Sequence, residues 1–463
     1  MGIIVHILSS RNGMASWKLS VENYGKIKSA EIEVAPLTLF VGDNNSGKSY
    51  LLALLWGIEK FGVEALIGED YINTDEANEL INWIGEQIEI TIEKKHHEIP
   101  LGEIASLLNK FLNIELKKKK GNLVKRIFNS KSVEIGKLEI KLQNLKEDCL
   151  YFDLDENMGY LNLSDNTGPR FLFAWNIVTD ELDRKSKFFY WYVIKVIYSV
   201  ILNIDIQEIL INNCIYLPAA RTGFMLTKDI INKVGRKNTF NLPDEKETIT
   251  PFIRPINEFL DIMGDLSVDN FGKDENVKLA SDLEKEMTNG TIEFSAMPNK
   301  EVQYIPTGYK KGIPLRLSSA VVTELSPFIL ILKHHNYINR FYYEEPEMCL
   351  HPQLQSKMGK MIGRIVNSNI GMVITTHSDI ILQHINNMIK LSKREDNKDI
   401  CDKLGYTKLD LLDDSQVKIY QFRAKIREKT EVEELICGED GFIVPTFNDA
   451  LDEIMDEAYE IQG

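Results

Sequence analysis

Between Leu37 and Trp56 the chain reads LTLFVGDNNSGKSYLLALLW, an apolar run, then a glycine-rich turn, then the opening of a helix. Gly42, Gly47, Lys48 and Ser49 satisfy the pattern G-x-x-x-x-G-K-[ST], with Asn44, Asn45 and Ser46 inside the loop. Leu37–Val41 predicts a buried strand, and Ser49–Gly57 predicts a helix with an apolar face. The order matters physically. Glycines let consecutive backbone N–H groups turn inward around a phosphate, and the following helix adds the positive end of its dipole. Lys48 would neutralise phosphate oxygens, and the Ser49 hydroxyl would hold Mg²⁺. A glycine and asparagine turn matching the pattern by chance would not bring both strand and helix with it.

With 463 residues, 44% of them hydrophobic and 27% charged, the chain is too long for one core, and about two or three subdomains are expected. Cys149, Cys214, Cys349, Cys401 and Cys437 are scattered, with no C-x-x-C pair, and read as reduced thiols of a cytoplasmic protein. The opening MGIIVHILSS lacks a basic n-region and makes a poor signal peptide, and Met14 is a second candidate start. The most apolar window, Phe188 to Ile204, has 17 residues with Lys195 near its middle, which suits a buried helix better than a membrane span. A net charge of −15 argues against a protein coated in nucleic acid, while leaving room for a local basic site.

Three further signals lie far along the chain. RFYYEEPE, from Arg340 to Glu347, predicts a strand ending in Glu344 and Glu345. Two carboxylates beside a phosphate loop are what ATP hydrolysis needs, one for Mg²⁺ or its water and one to polarise the attacking water. After a helix-like stretch, Pro352–Val366, the run MVITTHS (Met372–Ser378) ends a second strand at His377, whose imidazole can reach a γ-phosphate. Upstream, Ser318, Ser319 and Ala320 precede the helix-like run Val321–Lys333, an anion site by composition. Taken singly, these are also an exposed acidic turn, a core histidine and a plain N-cap. Their order behind the phosphate loop is what makes them a set.

In that order the chain resembles the ATPases built like ABC-transporter heads, within the RecF/SMC/overcoming-lysogenisation group of AAA-type proteins. Leu19–Ala35, LSVENYGKIKSAEIEVA, looks like that group's opening hairpin, which covers the nucleotide base. The resemblance implies ATP and Mg²⁺ as cofactors, Glu344 as the metal-side acid with Ser49, and Glu345 as the catalytic acid. It implies a D-loop at Leu350-His351-Pro352 and a switch role for His377. Ser318 and Ser319 resemble the signature that binds the γ-phosphate held by a second protomer. Cys214–Phe224, CIYLPAARTGF, is similar to a strand-and-loop block of defence-associated members, which would place Arg221 near the phosphates. Two positions depart from the pattern: Ala320 stands where transporters and SMC heads carry glycine, and the metal-side acid is Glu where Asp is commoner.

The resemblance covers roughly residues 15–84 and 205–430. The implied fold class is α/β, an ABC-ATPase-like head with an inserted, mainly helical lid or arm. The expected divisions are 1–84 for the first part of the head, 85–210 for the partly basic insert, 211–300 for a strand-loop block and helical linker, 301–430 for the second part of the head, and 431–463 for an acidic helical tail. In the insert, Ile104, Leu107, Leu108, Phe111 and Leu112 fall at helical spacing. A stripe follows with nine Lys/Arg against three Glu between residues 115 and 141, opened by Lys117–Lys120. It is either a solvated face or a sequence-independent contact to a nucleic-acid backbone. VKIYQF (Val417–Phe422) reads as the last strand. Phe447, Leu451, Ile454, Ala458 and Ile461 then fall on one helical face, for packing on the head or for docking a partner.

The expected role is an ATPase subunit of a prokaryotic antiphage (antiviral) system, forming a homodimer or higher even oligomer that sandwiches ATP. It would sense nucleic acid and regulate a separate nuclease, with a Septu-type HNH partner favoured by analogy. No membrane association is expected. The 86 residues after His377 are too few for the Toprim nuclease of the overcoming-lysogenisation branch. Two alternatives stay open, a RecF-like repair ATPase and a self-contained nuclease with an unrecognised site.

Overall fold

The computed structural model describes residues 17–66, 75–130, 132–142, 149–155, 160–165, 168–174, 190, 193–194, 197–198, 214–227, 252–266, 272–295, 301–424, 427–445 and 455–461. In chain order come β1 (Trp17–Tyr24), β2 (Ile27–Val34), β3 (Leu37–Gly42), α1 (Lys48–Leu66), α2 (Asp75–Lys94), β4 (His96–Pro100) and α3 (Leu101–Phe128). Then follow β5 (Lys137–Leu142), β6 (Cys149–Asp155), β7 (Tyr160–Asp165), β8 (Gly168–Ala174), β9 (Cys214–Leu217), α4 (Arg254–Asp265) and α5 (Asp274–Leu283). The remainder is β10 (Gly290–Phe294), β11 (Val302–Pro306), β12 (Ile313–Pro314), α6 (Ala320–His334), β13 (Arg340–Glu344), α7 (Pro352–Asn367), β14 (Gly371–Thr375), α8 (Asp379–Ser392), α9 (Asn397–Leu404), β15 (Val417–Arg423) and β16 (Thr430–Leu435).

The chain divides into two compact units, one of residues 1–35, 57–125 and 132–213, the other of 36–56, 126–131 and 214–463. In the second unit the strand order is β16-β15-β3-β14-β13-β9. β15, β3, β14, β13 and β9 run parallel, and β16 is antiparallel to β15. β3, β9, β13 and β14 are buried at every position, which is why LTLFV, CIYL and MVIT read as unbroken apolar runs where a half-exposed strand would alternate. Helices α4 to α8 lay apolar faces on this sheet: Phe259, Leu279, Phe328, Ile362 and Ile385 all belong to one core with Leu39, Phe341 and Ile374. A parallel sheet places ligand sites outside the carboxyl ends of its strands. Here the ends of β3, β13, β14 and β9 carry the phosphate loop, Glu344, Thr375 and Pro218.

The first unit holds an antiparallel ribbon, β5-β1-β2, and a second sheet, β4-β6-β7-β8. Helix α3 buries Ile104, Leu108, Phe111 and Leu112, four of the five apolar positions expected there. Of the apolar window 188–204, Val193, Ile194, Ile197 and Tyr198 are helical and buried. No helix among the described residues is long and apolar enough to cross a membrane.

Several expectations are revised. Residue 85, the expected start of the insert, lies inside α2, and β5 of that segment pairs with β1 through Leu19 and Ile140. The segment is helix and antiparallel sheet together. Strands such as β6, with Leu150, Phe152 and Leu154, supply too few alternations to stand out beside helices of 20 and 28 residues. Val417–Arg423 is not last in sequence or at an edge: it lies next to β3, and β16 follows it. Strand β16 therefore takes Thr430–Leu435 out of the expected acidic helix. Ala458 and Ile461 sit in an exposed helical stretch over 455–461, whereas Phe447, Leu451 and Ile454 lie outside the described residues.

Candidate functional site

Strand β3 delivers the loop and α1 receives it, with Lys48 as the first residue of the helix. Asn45 has φ 57° and Gly47 φ 102°, so the main chain passes twice through the left-handed region. Gly42, at φ 113°, is demanded by its surroundings as well, because a Cβ there would collide with the Phe422 carbonyl oxygen on β15. The same carbonyl accepts the Asp43 N–H at 3.1 Å, and Asp43 Oδ2 accepts the Ala424 N–H at 2.7 Å.

Lys48 is 6% exposed and donates to two loop carbonyls, Gly42 at 2.9 Å and Asp43 at 2.6 Å. Burial pulls its pKa down to about 8, against the opposing pull of Glu345, Asp43 and Glu347. The Ser46 hydroxyl is buried with no hydrogen-bond partner. A desolvated ammonium resting on carbonyls and an orphaned hydroxyl in the same turn fit a bound polyphosphate, which would satisfy both. For Mg²⁺ the residues present also fit: a hydroxyl at the loop exit and a carboxylate at a strand end are hard oxygen donors. That suits an ion held by one or two protein oxygens together with phosphate. Ser49, exposed at the loop exit, and Glu344 are the groups that would hold it.

Glu344 closes β13, and its Oε2 accepts the Ala219 N–H at 2.8 Å. Glu345 follows with φ 44°, and its N–H donates to the Thr375 carbonyl at 2.9 Å, tying the acid turn to the end of β14. A non-glycine residue held in that region is sparse and marks over-determined local structure. Glu347 is raised above the ordinary carboxylate range, first by burial, although its Oε1 accepts the His377 N–H at 2.5 Å. Its Oε2 has no partner. His377 is lowered, first by burial and then by the Lys48 charge. Just beyond, Ser378 caps α8, its hydroxyl accepting the Ile381 N–H at 3.1 Å. The structure thus brings Gly42–Ser49, Glu345, Glu347 and His377 into one electrostatic neighbourhood, with Lys48 feeling both acids and His377 feeling Lys48.

Ser319 is the N-cap of α6 and accepts the Val322 N–H, while the buried Ser318 hydroxyl has no partner. Around them Leu317 is 69% exposed, and Ser319 and Ala320 are exposed too. Among the described residues, the Lys48 ammonium bonds to its own loop carbonyls and not to this helix end.

Arg221 is placed differently from the expectation. It is fully buried, its Nη1 donates to the carbonyls of Pro218 at 2.8 Å and Glu344 at 2.6 Å, and its Nη2 donates to that of Glu345 at 3.0 Å. The guanidinium lies 4.6 Å from the Tyr343 ring centroid and forms an ion pair with Glu324 of α6 at 2.8 Å. All of these contacts lie inside the protein, beneath the acid turn. Glu324 escaped sequence reading because a lone acid one turn into a helix looks like solvated surface.

Four of the nine cations of the basic stripe are paired with carboxylates. Lys118 and Lys119 both pair with the buried Glu115, Lys137 with Glu22 and Glu139, and Lys141 with Glu31, while Lys120 donates to the Gly136 carbonyl.

A strand, a glycine-bearing phosphate loop and a helix that opens on the loop lysine, at the carboxyl edge of a parallel sheet, define a P-loop nucleotide-binding protein. A profile of the AAA ATPase domain matches residues 14–382, and the chain belongs to that family. Comparison with curated proteins gives no match. Similar solved structures include an SMC head bound to the C-winged helix domain of ScpA, at 11% identity and TM-score 0.35, covering 91% of this chain and 97% of that one. Others are the SMC head domain from Thermotoga maritima (12%, TM-score 0.34, covering 91% and 100%) and, from Pyrococcus furiosus, an Smc head with an extended coiled coil bound to the C-terminal domain of ScpA (10%, TM-score 0.37, covering 97% and 100%). Scores this low transfer neither site nor function.

Proposed function

We propose that this chain binds and hydrolyses ATP as the regulatory subunit of a prokaryotic antiphage complex whose nuclease is a separate polypeptide. The observation that carries the ATPase reading is the meeting of Lys48, Glu345, Glu347 and His377 at the edge where β3, β13 and β14 end. Lys48 and the loop N–H groups hold the β- and γ-phosphates, with Ser46 supplying a further donor. Glu345 accepts a proton from the attacking water. His377 donates to the γ-phosphate as charge builds there. Ser49 and Glu344 would hold Mg²⁺, which when bound would neutralise charge on the phosphates.

The α6 end supports a shared site. Its orphaned Ser318 hydroxyl and exposed Leu317 suit a second copy whose γ-phosphate caps the helix. ATP would then drive a head-to-tail dimer. The resemblance to defence-associated ATPases supports the nuclease partner, and the RecF-like reading shares every feature of the site. Co-expression with the adjacent gene separates them: ATP-dependent DNA or RNA cleavage by the complex, and none by this chain alone, supports defence. Loading of another protein onto DNA without cleavage supports the repair reading. Light scattering tests the dimer, which Glu345→Gln with ATP should trap and Ser318→Arg should prevent. A monomer under both conditions would refute the shared site.

A further inference from the structure

Arg221 and Glu324 form a buried pair that touches both the acid turn and the helix proposed to meet a partner's phosphate. Each end is specific. On one side, Arg221 donates to the main-chain carbonyls of both Glu344 and Glu345, at 2.6 Å and 3.0 Å. On the other, Glu324 lies in α6 just past the Ser318–Ala320 end, and its Oε2 accepts from Thr222 twice, from the N–H at 2.9 Å and from the hydroxyl at 2.7 Å. Arg221 is 0% and Glu324 1% exposed, so neither charge has water to fall back on. Tyr343, whose ring lies against the guanidinium, is itself fully buried on β13. Glu345, at φ 44°, sits in a backbone conformation that needs support: its N–H donates to Thr375, and its carbonyl accepts from the Met348 N–H within the turn and from Arg221 outside it.

We infer that Arg221 and Glu324 are positioning residues that set the Glu345 carboxylate according to where the N-terminal turn of α6 sits. The pair touches no phosphate and acts through the acid turn. A shift of α6 on meeting a γ-phosphate would move Glu324, and the ion pair would carry that movement to the carbonyls of both acids. Hydrolysis would then proceed only with the helix end engaged, while ATP binding at Lys48 would proceed without it. This inference rests on the proposed roles of Glu345 and of the α6 end.

The test compares Arg221→Lys, Glu324→Gln and Thr222→Val with wild type and Glu345→Gln, measuring thermal unfolding, ATP affinity by calorimetry, and steady-state turnover. Arg221→Lys keeps a cation but cannot span three carbonyls and a carboxylate. Thr222→Val preserves shape and removes one donor to Glu324, and it is the variant to read if the first two fail to fold. Expected is an ATP Kd within about twofold of wild type and a kcat lower by about tenfold or more in Arg221→Lys and Glu324→Gln, because a small misplacement of a catalytic group costs rate before it costs binding. Thr222→Val should lose about threefold in kcat on the same grounds. Folded variants with wild-type kcat, or with a Kd that rises in step with the loss of kcat, would overturn the inference. If those variants keep wild-type kcat while Glu345→Gln is inactive, the coupling alone fails. If Glu345→Gln itself hydrolyses ATP at the wild-type rate, the assignment of Glu345 fails and the inference goes with it.

Discussion

Lys48 and the lysines of α3 are the same side chain in opposite circumstances. Lys48 is buried against two carbonyls, with carboxylates near enough to be felt but none in contact, and burial wins, lowering its pKa to about 8. Lys118 and Lys119 share Glu115, a carboxylate 1% exposed, and Lys137 has two acids of its own. A cation already answered by a carboxylate offers little to an incoming phosphate, whereas a desolvated cation held by dipoles gains a full counter-charge when one arrives. Counting lysines along the sequence ranks the stripe above the loop. Counting what each lysine touches reverses the ranking.

The comparison breaks most visibly at Lys48 itself. Lys48→Ala should abolish detectable MgATP binding by calorimetry, since nothing else described in the loop carries positive charge. Tight binding by that variant would mean the loop is not the nucleotide site. Next in size, Glu345→Gln should keep ATP affinity and lose about 100-fold or more in kcat. Wild-type turnover would move the catalytic role to Glu347, whose buried, half-satisfied carboxyl is the other candidate at the turn.

A pH series sharpens the contrast. If bound phosphate keeps Lys48 charged, the apparent ATP Kd should rise about tenfold between pH 7 and pH 9 as the free protein loses that proton near pH 8. Between pH 8 and 10.5 the unfolded chain retains a Lys48 proton that the folded, nucleotide-free chain has released, so this group makes stability rise with pH across that window. Lys48→Met should flatten both trends, and a trend that survives belongs to another group. Smallest of all are the effects expected at the stripe. Lys118→Ala, at a half-exposed pair, should change stability by about 0.5 kcal/mol in thermal or urea unfolding. Reversing Lys117–Lys120 to glutamate should leave ATP turnover within about twofold and weaken any nucleic-acid binding in a salt-dependent way. Equal affinity of wild type and variant at about 50 and about 200 mM salt would make the stripe a solvated face.

The phosphate loop, the acid pair and the end of β14 were legible because each combines a period with a terminus. Five buried residues followed by Gly42, five followed by Glu345, and five followed by the turn to His377 are local patterns that do not depend on distant chain. Glu347 stood in the sequence only as the end of RFYYEEPE, because its importance comes from the His377 N–H thirty positions away in sequence. Arg221 was noticed for its motif but its burial was not legible, since a sequence does not say whether a guanidinium points out of a loop or under a strand. Residues 149–174 were taken for part of a helical insert because short antiparallel strands draw their stability from neighbours and not from their own pattern.

The sequence alone determined the nucleotide loop and its lysine, the parallel α/β layout around it, and the order in which the acids and the histidine would arrive. These follow from hydrophobic period, glycine placement and helix ends, all of them set within a few residues. Tertiary structure alone decided which charges remain available. It closed Lys118 and Lys119 onto Glu115, buried Arg221 beneath Glu344 and Glu345, and left Lys48 with carbonyls only. Charge neutralisation depends on distance and burial, and those are set by parts of the chain that the fold alone brings together.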